Sequence, residues 1–144
     1  MPTESVDIGE ALMSYLRGKF LAQISTSHED YEDSDIDSVR NNDAILHQYL
    51  EAKNGNIDES LKTLVTAMKW RKTFGVNHLN AASFPREYYQ MGSLFTYGFN
   101  LKGAQMIVFR VKNNKKIKFW SDMLKKYIVY LIEKESLRFA DHLN

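Results

Sequence analysis

Between Asn56 and Lys112 the chain carries, in order, an apolar helix stripe, a glycine stop, a proline-marked helix start and two β-rich runs joined by a glycine-flanked loop. Ile57, Leu61, Leu64, Val65 and Met68 fall at i, i+4, i+7, i+8 and i+11, one face of a 3.6-residue helix, and Gly75 supplies the stop. Ser83-Phe84-Pro85-Arg86 predicts a further short helix with Pro85 at its first position, where the missing N–H costs nothing, and Gly92 ends it. Ser93 to Tyr97 and Gln105 to Lys112 are rich in β-formers, and the Gly98 to Gly103 loop between them predicts an antiparallel hairpin. A two-stranded hairpin alone is marginal in water, so its apolar residues must pack on helices or on another chain.

The flanking sequence adds helices. Ile8, Leu12, Tyr15, Leu16 and Phe20 mark an amphipathic helix between Ser5 and about Ser25. Thr26 to Ser38 is dominated by Ser, Asp and Glu and reads as a mobile joint with at most one helical turn near Ser34. Asn42 or Asp43 caps a short helix carrying Ile45, Leu46, Tyr49 and Leu50, and Asn54-Gly55 ends it in the left-handed conformation. Beyond Asn113-Asn114, the residues Ile117, Trp120, Leu124, Tyr127, Ile128 and Leu131 mark a long last helix. A helix after a strand usually crosses over a sheet to deliver a parallel neighbour. No clear strand is readable after this one. The expected architecture is mainly α (α+β): helices, one hairpin and a long C-terminal helix.

Charge is unevenly distributed. Residues 1–60 hold 13 acidic and 4 basic side chains, residues 61–144 hold 5 and 15, and the chain as a whole is only +1. The acidic cluster is Glu29, Asp30, Glu32, Asp33, Asp35 and Asp37; the basic one runs from Arg110 through Lys112, Lys115, Lys116 and Lys118 to Lys125 and Lys126. The basic cluster admits three readings: a solvated face, contact with the acidic run, or an anionic phospholipid surface, to which each lysine contributes about 1 kcal/mol. Nucleic acid is not expected, because no recognition motif accompanies the lysines.

The absence of cysteine removes disulfides, zinc-thiolate sites and cysteine nucleophiles, and it fits the cytoplasm. Glu4, Asp7 and Glu10 give the N-terminus the wrong charge for a signal or transit peptide. The longest wholly apolar run, Tyr127 to Ile132, is far below the roughly 20 residues of a membrane span. His28, His47, His78 and His142 lack metal-ligand spacing, and no nucleophile elbow, P-loop or dinucleotide motif occurs. The expectation is a protein that is not an enzyme and needs no cofactor or metal.

Trp70-Arg71, Phe74-Gly75-Val76, Pro85, Gly92, Gly98, Asn100, Gly103 and Ile107-Val108-Phe109-Arg110 together resemble the front of the CRAL-TRIO lipid-binding family. In that family a helical N-terminal region ends in a Trp-Arg…Phe-Gly-Val helix and leads through a hairpin into an α/β lipid-binding core. The resemblance spans roughly residues 10–135. It departs in the turn, where Asn100 stands for the usual Asp and Ala104-Gln105 for the usual Arg-Pro, and beyond residue 135. It implies a helical region over 1–92 and the start of an incomplete α/β lipid-binding domain over 93–144, a truncated or partial form. The implied function is lipid binding or lipid transfer without covalent chemistry.

On that resemblance Phe95, Tyr97, Phe109, Trp120 and Tyr127 are lipid-facing candidates, although aromatic residues at strand and helix spacing are more often plain core. Lys112, Lys115, Lys116 and Lys118 are the anionic-surface candidates. The implied partners are a hydrophobic lipid and a peripheral contact with an anionic membrane. Association with the endoplasmic reticulum is implied only for a longer form carrying an anchor. Trp70 reads as a helix-packing residue. From another functional class, the same pattern describes an adaptor that docks on a protein partner through the hairpin and last helix. A third reading is a fragment without function of its own, prone to aggregate through unpaired strand edges.

Overall fold

A computed structural model describes residues 8–113 and 118–141. It is mainly helical, with six α-helices and one antiparallel hairpin among those residues, and two compact units divide between Asn77 and His78.

The first unit is built from α1 (Glu10–Ile24), α2 (Asp33–Asn41), α3 (Asp43–Ala52) and α4 (Ile57–Phe74). Leu16, Phe20 and Ile24 of α1 meet Leu46 and Leu50 of α3 and Leu64 and Met68 of α4 in a closed core. Ser60 is fully buried on α4, and its Oγ donates to the Tyr49 carbonyl at 3.2 Å. The helix ends follow the sequence signals. Asn42 Oδ1 accepts from Ala44 N–H and Asn56 Oδ1 from Glu59 N–H, satisfying donors that a helix start leaves open. Asn54 and Gly55 both take positive φ after α3, and Gly75 does so after α4.

The acidic run is not a joint. Tyr31, Ile36 and Val39 are buried in the same core, and α2 is a full helix of nine residues. Helix α4 supplies the cations that permit this. Lys69 Nζ donates to Asp30 Oδ2 at 2.7 Å, Arg71 Nε to Asp35 Oδ1 at 2.9 Å, and Lys72 Nζ to the carbonyls of Glu29 and Tyr31 at 2.6 and 3.0 Å. The hydrogen bond to Asp30 holds the Lys69 ammonium above its ordinary pKa range. Arg71 also reaches Asn77, whose Nδ2 donates to Ser34 Oγ, so the start of α2 is tied to the end of α4 through a polar chain.

The second unit contains α5 (Arg86–Met91), β1 (Leu94–Phe99), β2 (Gln105–Phe109) and α6 (Lys118–Asp141). Phe84 and Tyr88, before and within α5, belong to the same buried cluster as Leu94, Tyr127 and Leu131, so α5 is part of this unit. Pro85 sits just before α5 as its N-cap, and its carbonyl accepts from Tyr88 N–H. Gly92 ends α5 at positive φ as the sequence predicts.

The hairpin pairs Leu94 with Phe109, Phe95 with Val108 and Thr96 with Ile107, then shifts register so that Phe99 faces Gln105. Three steps on β1 therefore oppose two on β2, a bulge that Gly98 accommodates with φ +55°. Asn100 closes the turn. Its Oδ1 accepts from the N–H groups of Lys102 and Ala104, both at 2.9 Å, while its own N–H donates to the Ala104 carbonyl at 2.8 Å. An amide oxygen thus does what a carboxylate would do at this position.

Candidate functional site

The hairpin and the helices of the second unit form the candidate site, and they start from an aromatic cluster. Phe84 lies 5.0 Å from Tyr127 and 5.5 Å from Tyr130, ring centre to ring centre, and Tyr88 lies 5.2 Å from Tyr127 and stacks on Trp120 at 5.6 Å. Edge-to-face and offset rings at these distances gain beyond the area they bury. Burial out of water pushes the Tyr88, Tyr127 and Tyr89 phenols above their ordinary pKa, with neighbouring tyrosines adding to the effect.

Two of the five lipid-facing candidates belong to this cluster. Tyr127 is only 7% exposed, and Trp120 is half-buried against Tyr88. Both fill the interior of the unit, which agrees with the plain-core reading. The other three are on the hairpin. Phe95 is half-buried beneath the Arg110 guanidinium, 4.9 Å from its ring centre. Phe109 shares a face with Leu94 but remains largely exposed, and Tyr97 is 67% exposed near the bulge.

Sequence spacing did not single out Phe84 and Tyr88 as the centre of the cluster, although their i, i+4 separation was a signal that could have found them. It also did not single out Leu101, which is exposed at the hairpin tip with Phe99 on the other side of Asn100. Along α6, Phe119, Ile128, Ile132 and Leu137 are exposed as well. The second unit thus has a well-packed aromatic interior and much uncovered apolar surface.

The chain matches no protein-family model and no solved structure. Its functional reading therefore rests on its own residues.

Among the anionic-surface candidates, Lys112 and Lys118 are exposed, and Lys115 and Lys116 lie outside the described residues. Asp30 and Asp35 of the acidic run are engaged by α4 within the first unit. Trp70 is not packed in a core. It is 48% exposed, stacks on Phe74 at 4.8 Å, and lines an open, shallow depression along α4 with Glu59, Lys62, Thr63, Thr66 and Ala67.

His28 faces Asp33 at 3.3 Å and His47 faces Glu51 at 3.8 Å, both at exposed positions. Among the described residues no helix is long and apolar enough to cross a membrane, and no cluster of three or more His, Asp or Glu has the arrangement of a metal site.

Proposed function

We propose that the chain serves a non-catalytic lipid-binding or lipid-transfer function of the CRAL-TRIO type, with the hairpin and α6 as the part that meets the lipid. The observation that carries this reading is the apolar surface of the second unit: Ile107 and Phe109 on β2, and Phe119, Ile128 and Ile132 on α6, remain in water. Each square ångström of such surface removed from water contributes about 25 cal/mol, so an acyl chain laid against it would be held without any covalent step. The element order, a helical unit followed by a hairpin and a long helix, supports the same reading. A cysteine-free chain fits the reducing cytoplasm, where such a binder would meet the faces of cellular membranes.

A second reading has its own observation. The sheet has two strands among the described residues, so β1 and β2 each present an outer edge with unpaired N–H and carbonyl groups. A partner strand could add to either edge, with pockets between alternate side chains giving selectivity. In this reading the chain is an adaptor for another polypeptide.

Native mass spectrometry of the chain purified from cells separates the two. A species heavier than the 16.8 kDa chain by the mass of a lipid supports lipid binding. A lipid-free chain that stays lipid-free after incubation with mixed phospholipid vesicles overturns it, and leaves the docking reading to be tested by titration with defined partners.

A further inference from the structure

We infer that the hairpin tip, formed by Tyr97, Phe99, Leu101 and Lys102, is a membrane-contact site that inserts its apolar side chains into the interface of an anionic bilayer. The inference goes beyond the binding of an individual lipid, because it concerns contact with a surface and holds whether or not the chain retains a ligand.

The tip is built to expose what folding usually hides. Leu101 is fully exposed, Phe99 is 66% exposed, and neither belongs to a buried cluster. The turn owes its shape to backbone and Asn100 contacts alone. Asn100 Oδ1 receives two N–H groups, Gly103 takes φ +78°, and Gly98 takes φ +55° in the bulge. The apolar side chains at the tip are therefore not required for the turn. A rigid loop that holds a Leu and a Phe in water loses little conformational entropy when they leave it, which favours insertion.

Charge selects the occupant. The hairpin from Leu94 to Phe109 carries Lys102 and no Asp or Glu. Lys102 stands at the tip, next to Leu101, where its long stem can follow the inserted side chains while the ammonium stays with the headgroups. Tyr97, 67% exposed below the tip, has the amphipathic ring that favours the headgroup level of a bilayer. An apolar tip with Lys102 beside it, an exposed tyrosine below it and no acidic residue on either strand match an anionic lipid surface better than they match the mixed-charge surface of an average protein.

The absence of cysteine allows a direct test on the full chain. Leu101→Cys, labelled with an environment-sensitive fluorophore, is mixed with vesicles of phosphatidylcholine alone or of phosphatidylcholine with phosphatidylserine. Lys62→Cys on α4 carries the same label as a control. The expected result is a blue-shifted, brighter emission from position 101 with the anionic vesicles, quenched by lipids brominated on their acyl chains, and no change from position 62.

In co-sedimentation with unlabelled protein, Phe99→Ser with Leu101→Ser should weaken binding to anionic vesicles by at least about tenfold. Lys102→Glu should weaken it by about fivefold or more. Both variants keep Asn100 and Gly103, and an unchanged circular dichroism spectrum verifies the fold. Equal vesicle binding by parent and tip variants overturns the inference. So does an emission change at position 101 that needs no vesicles and grows with protein concentration, which would make the tip a contact between copies of the chain. Failure to retain a lipid in native mass spectrometry, with vesicle binding intact, would overturn the proposed ligand binding and leave the membrane contact standing.

Discussion

Arg71 Nε donates to Asp35 Oδ1 across 2.9 Å, joining residues 36 positions apart, one of them a carboxylate that is only 4% exposed. The Trp-Arg pair that stands out in the sequence thus divides into two roles. Trp70 faces outward from α4, while Arg71 turns to α2 and neutralises Asp35, the one buried acidic side chain among the described residues.

Removing Arg71 should be costly, because Asp35 is then left charged and out of water. Arg71→Ala is expected to destabilise the first unit by about 3 kcal/mol, read from denaturant unfolding. The double change Arg71→Met with Asp35→Leu should recover much of that loss. A double-mutant cycle with no coupling would show that the pair does not hold α2 in place.

The hairpin turn makes a separate prediction. Gly103 has φ +78° with nothing within 4 Å of where a Cβ would stand, so a side chain there meets backbone strain and no clash. Gly103→Val should cost about 1–2 kcal/mol and raise hydrogen exchange in β1 and β2, whereas Gly103→Asn should be milder. Asn100→Ala should cost about 1 kcal/mol through the loss of two accepted hydrogen bonds, and Asn100→Asp should not. Equal stability of Gly103→Val and parent would contradict the positive φ.

Phe84 is the ring around which the second unit packs. Phe84→Ala is expected to cost about 3–5 kcal/mol, since it opens a cavity facing Tyr88, Tyr127 and Tyr130. The near-ultraviolet circular dichroism of the tyrosines and Trp120 should collapse with it. A spectrum retained at full strength would mean that the cluster does not depend on this residue.

Alkaline pH should loosen the same cluster. Burial raises the folded-state pKa of Tyr88 and Tyr127 above the ordinary value of about 10, so their neutral forms are favoured in the fold. Below the unfolded-state pKa both states are protonated and this stabilising effect is fully present. As pH rises through about 10 the unfolded state releases protons first, and stability falls until the folded-state pKa is passed. Thermal melts at pH 8 and about pH 10.5 should therefore separate, and the phenolate absorbance should titrate in part above its free value. A melting temperature that does not move across this range would contradict the burial.

The sequence is most legible where a single residue type has one conformational solution. Asn54-Gly55, Gly75 and Gly92 end their helices at positive φ as their side chains, or lack of them, lead one to expect. Helix α2 was hidden because its apolar residues are few and its six neighbouring acids look like a solvated loop. What holds it comes from elsewhere: Arg71 bonds Asp35 on α2 itself, and Lys69 and Lys72 bond the segment just before it, from 36 to 43 residues away, and no local pattern encodes that. The candidate site was half legible. Of the aromatic residues at strand and helix spacing, Trp120 and Tyr127 went to the interior because Phe84 and Tyr88, before and within α5, offered rings to pack on. The exposed tip left little trace, since Leu101 in a turn looks like any other loop residue until its neighbours are known.

The position of the division between Asn77 and His78 has a consequence for how the chain comes into being. Every residue of the first core, from Leu16 to Met68, precedes the hairpin in the order of synthesis. Its packing is helix on helix and needs no residue of the hairpin, although α1 meets α4 across the whole of α2 and α3. The four helices therefore have the means to close their core once α4 has emerged, without any residue of the open strands. The β-edges, the segment most prone to wrong pairing, then appear only after a stable body already exists upstream of them.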